Sequence, residues 1–124
     1  MQKVILIVED DIHLIKVLNK KLSSEGFIVI DASNGQEGLQ KAETEHPDLI
    51  LLDIVMPVMD GLTMLKKLRE KEWGKQIKVI LLTNLSDEEK VIEEEGLGHS
   101  DYLIKADWSL EDIVKKIKEK LNIK

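Results

Sequence analysis

The chain has 124 residues, the size of one ordinary domain, and we therefore expect a single domain over residues 1–124. It contains no cysteine, which excludes disulfides, thiol catalysis and thiolate zinc sites, and its formal net charge of −6 argues against sequence-independent binding to nucleic acid. No apolar run approaches the roughly 20 residues that cross a bilayer, and the N-terminal run is too short for a signal peptide, so we expect a cytoplasmic protein without membrane insertion.

The first part of the chain predicts two strand–helix units. The aliphatic run at residues 4–8 is typical of a buried strand, and leucines at helical spacing predict a helix within residues 11–26, with Gly26 as its left-handed stop. A second apolar run at 27–30 predicts another strand, and a weaker helical pattern follows at 34–45. Strand and helix therefore alternate from the start.

The remainder of the chain repeats this alternation three times. Ser86 and Glu89 have the spacing of a capping box at the start of a short, acidic fourth helix, and Ser109 is placed to cap the fifth. The predicted elements are a strand at 48–52, a helix at 62–71, a strand at 77–82, a helix at 86–96, a strand at 101–104 and a helix at 109–121.

The strand runs are almost continuously aliphatic, which favours a parallel sheet that is buried on both faces. Right-handed crossovers then place helices on each side of the sheet. The sequence therefore predicts a doubly wound α/β domain, a class in which ligands bind beyond the carboxyl ends of the strands.

Polar side chains follow four of the five predicted strands, just where such a ligand would bind. Singly, each has a simpler interpretation: Asp11 as a helix cap, Thr83 as a strand-end hydroxyl, Lys105 as a solvated cation. Chance would scatter such groups over both ends of the sheet, so their coincidence favours a site. The candidates are Glu9, Asp10, Asp11, Asp53, Thr83 and Lys105.

Four short motifs in this order resemble the receiver domain of two-component response regulators. They are VEDD at 8–11, LLDIVMPVMDG at 51–61, ILLTN at 80–84 and DYLIK at 101–105. The resemblance covers essentially the whole chain and is closest to stand-alone, chemotaxis-type receivers. It implies a flavodoxin-like (βα)5 fold with a five-stranded parallel sheet in the order 2-1-3-4-5.

The resemblance implies that Asp53 is the phospho-acceptor and that Mg²⁺ is the cofactor. Asp10, Asp53 and the backbone carbonyl of Val55 would be metal ligands, and Glu9 would hold a metal-bound water. Oxygen ligands are the ones that Mg²⁺ prefers, and a cation is needed to bring a phosphoryl group to a carboxylate. The phosphodonor would be a histidine kinase, a histidine phosphotransfer protein or acetyl phosphate.

The same resemblance assigns the remaining groups to phosphate binding and to the switch. Lys105 would provide positive charge, the Thr83 hydroxyl would donate to a phosphoryl oxygen, and the backbone amide of Asn84 would bind another. Movement of Thr83 and an inward turn of Tyr102 would then change the surface formed by the fourth helix, fifth strand and fifth helix, which a downstream protein reads. The domain would catalyse only its own phosphorylation and dephosphorylation.

Four positions depart from the commonest family pattern or tune it. Ala106 replaces the proline that usually follows the lysine, which leaves the Lys105–Ala106 bond open between cis and trans. Asn84 stands where many receivers have alanine. Val55 and Leu85, the positions that flank the acceptor site, are both apolar and predict slow self-dephosphorylation, which suits a phosphorelay or a lasting signal.

Other classes of protein with this architecture match the motifs less well. A flavodoxin-type cofactor binder would need a phosphate-cradling first loop instead of EDD, and a haloacid-dehalogenase-type phosphatase would need an acid where Val55 stands. The serious alternative is a pseudo-receiver that acts only by protein interaction. We expect a monomer with no output domain and no DNA binding, while truncation of a longer regulator stays open, as do the kinase, stimulus and target.

Overall fold

The computed structural model describes residues 2–83, 100–104 and 109–123. The backbone alone is described for Thr83, Ser100, Asp101, Tyr102 and Ile104. In chain order the elements are β1 (Val4–Val8), α1 (Ile12–Ser24), β2 (Ile28–Ala32), α2 (Gly35–Glu45), β3 (Leu49–Asp53), α3 (Gly61–Glu70), a 3₁₀ turn (Glu72–Gly74), β4 (Lys78–Thr83), β5 (Ser100–Ile104) and α4 (Leu110–Lys120). The helix predicted fifth from the sequence is thus α4, and the helix predicted at 86–96 lies outside the described residues.

The five strands form one parallel sheet in the order β2-β1-β3-β4-β5, which confirms the predicted fold class and strand order. Val8 at the end of β1 pairs with Leu52, and Asp53 at the end of β3 pairs with Leu82. Because the strands are parallel and nearly in step, the carboxyl ends of β1, β3 and β4 meet at one edge of the sheet.

Each face of the sheet carries its own apolar core, which explains the uninterrupted aliphatic runs. Leu6 and Val8 belong to the cluster that α2 and α3 cover, whereas Ile5 and Ile7 belong to the cluster that α1 and α4 cover. Successive strand side chains point to opposite faces. Both sets are buried because helices pack on both sides. Among the described residues, no helix is long and apolar enough to span a bilayer.

Every strand except β1 differs from its predicted bounds by one or two residues, and the ends of β2 and β3 are the differences that bear on the site. The second strand was expected at 27–30, but β2 extends to Ala32 because Asp31 and Ala32 pair with the last two residues of β1. Phe27 is buried just before the strand. The third strand ends on Asp53 itself, one residue beyond the predicted end at 52, so the acid is fixed by the sheet rather than by the following loop.

A charged network joins α1 to α4 on the side of the sheet opposite α2 and α3. The Glu25 carboxylate accepts a hydrogen bond from Lys118 Nζ at 3.0 Å and lies 3.8 Å from Lys21 Nζ, which also lies 3.3 Å from Glu111. The hydrogen bond and charge of Lys118, with a smaller contribution from Lys21, hold the pKa of Glu25 below its ordinary value of 4.5. The ionised form of Glu25 is therefore the one that ties α1 to α4.

We predict that Glu25→Gln lowers the melting temperature near neutral pH and that the difference from the parent shrinks as the pH falls below 4.5. A carboxyl group whose pKa is lowered by folding stabilises the protein above its unfolded-state pKa, and this contribution is lost as the pH falls through the folded-state value. Thermal unfolding of both proteins, repeated at steps of about one pH unit between pH 3 and pH 7, measures this difference in melting temperature. Glu43→Gln, an exposed position on α2, is the matched control; equal losses in both variants would contradict the prediction.

Candidate metal centre

Glu9 continues the line of β1 and is held in place by backbone groups. Its N–H donates to the carbonyl oxygen of Ala32 at 3.0 Å, so the β1–β2 pairing extends to this residue. Its carboxylate accepts hydrogen bonds from the N–H groups of Asp10 (3.0 Å) and Asp11 (3.2 Å), and the side chain is only 1% exposed. A buried carboxylate needs such donors, and these two fix its orientation at the edge of the sheet.

Asp11 has the structural role that the sequence also allowed. Its side chain accepts hydrogen bonds from the N–H groups of His13 and Leu14, at 3.0 and 3.3 Å, and so caps α1. Among the three acids after β1, Asp11 is therefore turned toward the helix, and Glu9 and Asp10 contribute to the acidic group described below.

Asp53 ends β3 with its side chain 5% exposed. The chain doubles back on it, because Gly61 N–H donates to the Ile54 carbonyl at 2.8 Å and Ile54 N–H donates to the Leu82 carbonyl at 3.2 Å. A Cβ atom at Gly61 would lie 2.1 Å from the carbonyl oxygen of Asp53, so only glycine fits there. Gly61 therefore permits the close approach of the backbone that encloses Asp53.

Glu9, Asp10 and Asp53 form one acidic group, in which a carboxylate oxygen from each lies within 4.8 Å of those from the other two. Two unit charges at that distance repel by about 3 kcal/mol at an effective dielectric constant of about 20. Oxygen ligands of one Mg²⁺ lie about 2.1 Å from the ion, hence up to about 4.2 Å from each other. The donor set therefore fits a hard divalent cation after a small contraction, and exposed Asp10 leaves the site open to solvent for ligand water.

The other predicted site residues are placed only by their backbone or lie elsewhere. Thr83 ends β4 and directly follows Leu82, the strand partner of Asp53. Tyr102, in β5, pairs with Leu81 of β4. Val55 lies two residues after Asp53 and is 64% exposed. Asn84, Leu85, Lys105 and Ala106 lie outside the described residues, and their predicted roles stay predictions.

One contact at this edge has no signal in the sequence. The N–H of Gly35, the first residue of α2, donates to the carbonyl oxygen of Met59 in the β3–α3 connection at 3.1 Å. An Asn-Gly pair before a helix predicts a cap, and Asn34 does cap α2 through the Glu37 N–H at 2.9 Å. Nothing in the pattern of α2 indicates that its first turn also contacts the connection that follows Asp53.

Comparison with known proteins identifies the class. The family model of the response regulator receiver domain matches residues 5–118, and the chain belongs to this family. Accepting a phosphoryl group is the general function of these domains, which are signalling domains that interact with histidine kinases.

Individual relatives agree with this assignment. The chain is 44% identical over 107 residues to the alkaline phosphatase synthesis transcriptional regulatory protein PhoP of Bacillus subtilis, covering 85% of this chain and 43% of PhoP. The chain spans less than half the length of the curated relatives it matches.

Solved structures show the same fold. A CheY-like response regulator receiver domain from Methanospirillum hungatei has a TM-score of 0.88 at 34% identity, with 98% of this chain and 95% of that chain covered. The receiver domain of a sensor histidine kinase from Pseudomonas aeruginosa, solved with a magnesium ion coordinated in its active site cleft, has a TM-score of 0.86 at 27% identity, with 98% and 99% covered.

We predict that Mg²⁺ raises the melting temperature of the domain and that Asp10→Asn weakens Mg²⁺ binding by about tenfold or more, because it removes one of three clustered charges. At a free Mg²⁺ concentration of 100 times Kd, binding adds about 2.7 kcal/mol to the free energy of unfolding. Thermal unfolding across a Mg²⁺ series measures both.

Asp11→Asn is the control for this experiment, since it makes the same charge change one residue away and asparagine caps helices equally well. Equal loss of Mg²⁺ binding in both variants would mean that overall charge, and not the acidic group, attracts the ion.

Proposed function

We propose that Asp53 accepts a phosphoryl group from a histidine kinase or a histidine phosphotransfer protein in a Mg²⁺-dependent reaction. The observation that supports this most is the group of three carboxylates within 4.8 Å, in which the almost buried Asp53 lies at the end of a central strand. A carboxylate in that position is oriented by the sheet and still faces the edge from which a donor approaches. Cation-assisted attack by aspartate is an established kind of covalent catalysis.

In the proposed reaction an Asp53 carboxylate oxygen attacks the phosphorus of the donor. A new O–P bond forms while the bond between phosphorus and the donor breaks, and the electron pair of that bond leaves with the donor. Asp10, Asp53 and the Val55 carbonyl would hold Mg²⁺, with Glu9 holding a metal-bound water. The ion supplies the charge neutralisation that lets two anionic groups meet.

Three further groups would bind the phosphoryl oxygens. We propose that the Thr83 hydroxyl and the Asn84 amide donate hydrogen bonds and that Lys105 neutralises charge. In support, Thr83 ends the strand next to Asp53 at the same edge of the sheet. Positioned donors and cations are the main means by which proteins accelerate phosphoryl transfer.

The consequence of phosphorylation would be a shift between two existing states of the domain. We propose that Thr83 and Tyr102 couple Asp53 to a surface that includes the predicted fourth helix, β5 and α4, and that a downstream protein binds this surface. Phosphorylation shifts the equilibrium only by its differential interaction with the two states. We further propose that the domain is a monomer in the cytoplasm, the compartment in which kinases generate phosphohistidine from ATP. We also propose that it does not itself bind DNA.

We predict that acetyl phosphate with Mg²⁺ adds one phosphoryl group to the parent protein and that Asp53→Asn abolishes the addition. An amide cannot act as the nucleophile, because it carries no negatively charged oxygen. Intact-mass spectrometry measures the product, and omission of Mg²⁺ should leave the parent unmodified.

Asp60→Asn is the matched control for acceptor identity. Asp60 lies in the same connection and caps α3 through the Thr63 N–H at 2.8 Å, a role that asparagine can keep. Phosphorylation of Asp53→Asn at the parental rate would disprove the assignment, and Mg²⁺ binding without any phosphorylation of the parent would support a pseudo-receiver.

We predict a long-lived aspartyl phosphate, because apolar Val55 and Leu85 can neither orient an attacking water nor accept its proton. Val55→Asn should accelerate dephosphorylation by up to about 10²-fold, the rate increase that an acid–base or positioning group contributes. Decay after removal of the donor, followed by mass spectrometry, measures the rate. Val17→Asn makes the same change at an exposed site on α1 and should not accelerate decay. Parental decay within seconds would contradict the prediction.

A further inference from the structure

The connection between β3 and α3, residues 54–60, will be called the site loop because it follows Asp53 and contains Val55. Two backbone contacts close it. At its base, Gly61 N–H donates to the Ile54 carbonyl at 2.8 Å. At its tip, Gly35 N–H of α2 donates to the Met59 carbonyl at 3.1 Å. The tip is thus attached to a helix that contributes no residue to the acidic group.

The tip has a strained conformation. Val58 has a φ of 68°, and Met59 N–H donates to the Pro57 carbonyl at 2.7 Å. A hydrogen bond from residue i+2 to residue i around a residue with positive φ is the pattern of a classic γ-turn, which is rare and unfavourable. It is most unfavourable for a β-branched residue such as valine. Such a turn persists only where surrounding contacts maintain it.

The first turn of α2 is well placed to maintain the tip. Asn34 fixes the start of the helix through its bond with Glu37 N–H, and its carbonyl accepts from Gly38 N–H at 2.9 Å. Gly38 lies against β1: a Cβ atom there would come within 2.9 Å of both methyl groups of Val8. The helix is therefore seated on the strand that leads directly to Glu9.

Gly35 leaves no space for a side chain at this contact. A Cβ atom at position 35 would lie 2.5 Å from the Met59 carbonyl oxygen and 3.0 Å from Met59 Cγ. Carbon and oxygen cannot approach that closely, so alanine would have to push the tip away from α2. The same displacement would lengthen or break the Gly35–Met59 hydrogen bond.

We propose that Gly35 is a positioning residue for the metal site: it holds the tip of the site loop and thereby sets the Val55 carbonyl relative to Asp10 and Asp53. This inference rests on the proposed function, in which that carbonyl is a Mg²⁺ ligand. Mg²⁺ demands near-octahedral geometry, so a small displacement of one ligand lowers affinity. When the tip is released, the turn at Val58 relaxes and carries the loop with it.

The test is the Mg²⁺ dissociation constant of the full chain without a phosphodonor, measured from NMR amide shifts of Glu9, Asp10 and Asp53. We expect Gly35→Ala to raise it by about tenfold, the lower end of the range for residues that orient metal ligands. Asn34→Ala, which loosens the first turn of α2 without adding bulk near Met59, should raise it by a smaller factor and decides the matter if Gly35→Ala does not fold.

Gly74→Ala is the matched control. A Cβ atom there would lie 2.2 Å from the Leu68 carbonyl oxygen, a similar clash with backbone, but after the C-terminal end of α3, away from the site loop. Its melting temperature should fall while its Mg²⁺ affinity stays within about twofold of the parent. A parental affinity in both Gly35→Ala and Asn34→Ala, or an equal loss in Gly74→Ala, would overturn the inference. A parent that binds no Mg²⁺ would instead overturn the proposed function as well.

Discussion

The proximity of three carboxylates is the constraint on which the rest of the site depends. Glu9, Asp10 and Asp53 have oxygens within 4.8 Å of one another, although two of the three side chains are almost fully buried. Such an arrangement is unfavourable by itself, and a protein would lose it on relaxation unless rigid structure held it. Here the sheet holds Asp53 and backbone N–H groups hold Glu9. A divalent cation bound there would convert this repulsion into binding energy.

The parallel sheet is what makes that constraint possible. β1 and β3 are neighbours in the centre of the sheet, with helices covering both faces, so their carboxyl ends cannot move apart without disturbing two apolar cores. Interiors packed in this way transmit displacement and resist it. The site loop at the same edge lies outside the sheet and is held by backbone contacts, among them the hydrogen bond from Gly35 to Met59 next to the γ-turn at Val58.

Much of this architecture was predictable because local signals and tertiary contacts agree. The aliphatic run of β1, the caps Asp11 and Ser109, and Gly26 with its φ of 92° all follow from rules that involve neighbouring residues. The strand order came from resemblance, since periodicity does not specify which strands pair. The predicted end of β2 at residue 30 was wrong, because Asp31 is polar and breaks the apolar run although its backbone pairs with Ile7. The contact between Gly35 and Met59 joins residues 24 positions apart, and valine gives no sign of a positive φ, so no sequence pattern predicted either feature.

The most direct test of the account is where a divalent cation binds. Mn²⁺ accepts the same oxygen ligands as Mg²⁺ and broadens NMR signals of nearby nuclei. Added to the full chain below one equivalent, it should first broaden the amides of Glu9, Asp10 and Asp53, and excess Mg²⁺ should restore them. Broadening centred on another acidic segment, such as the glutamate run at 93–95, or broadening that Mg²⁺ does not reverse, would contradict the central claim that the three carboxylates form the metal site.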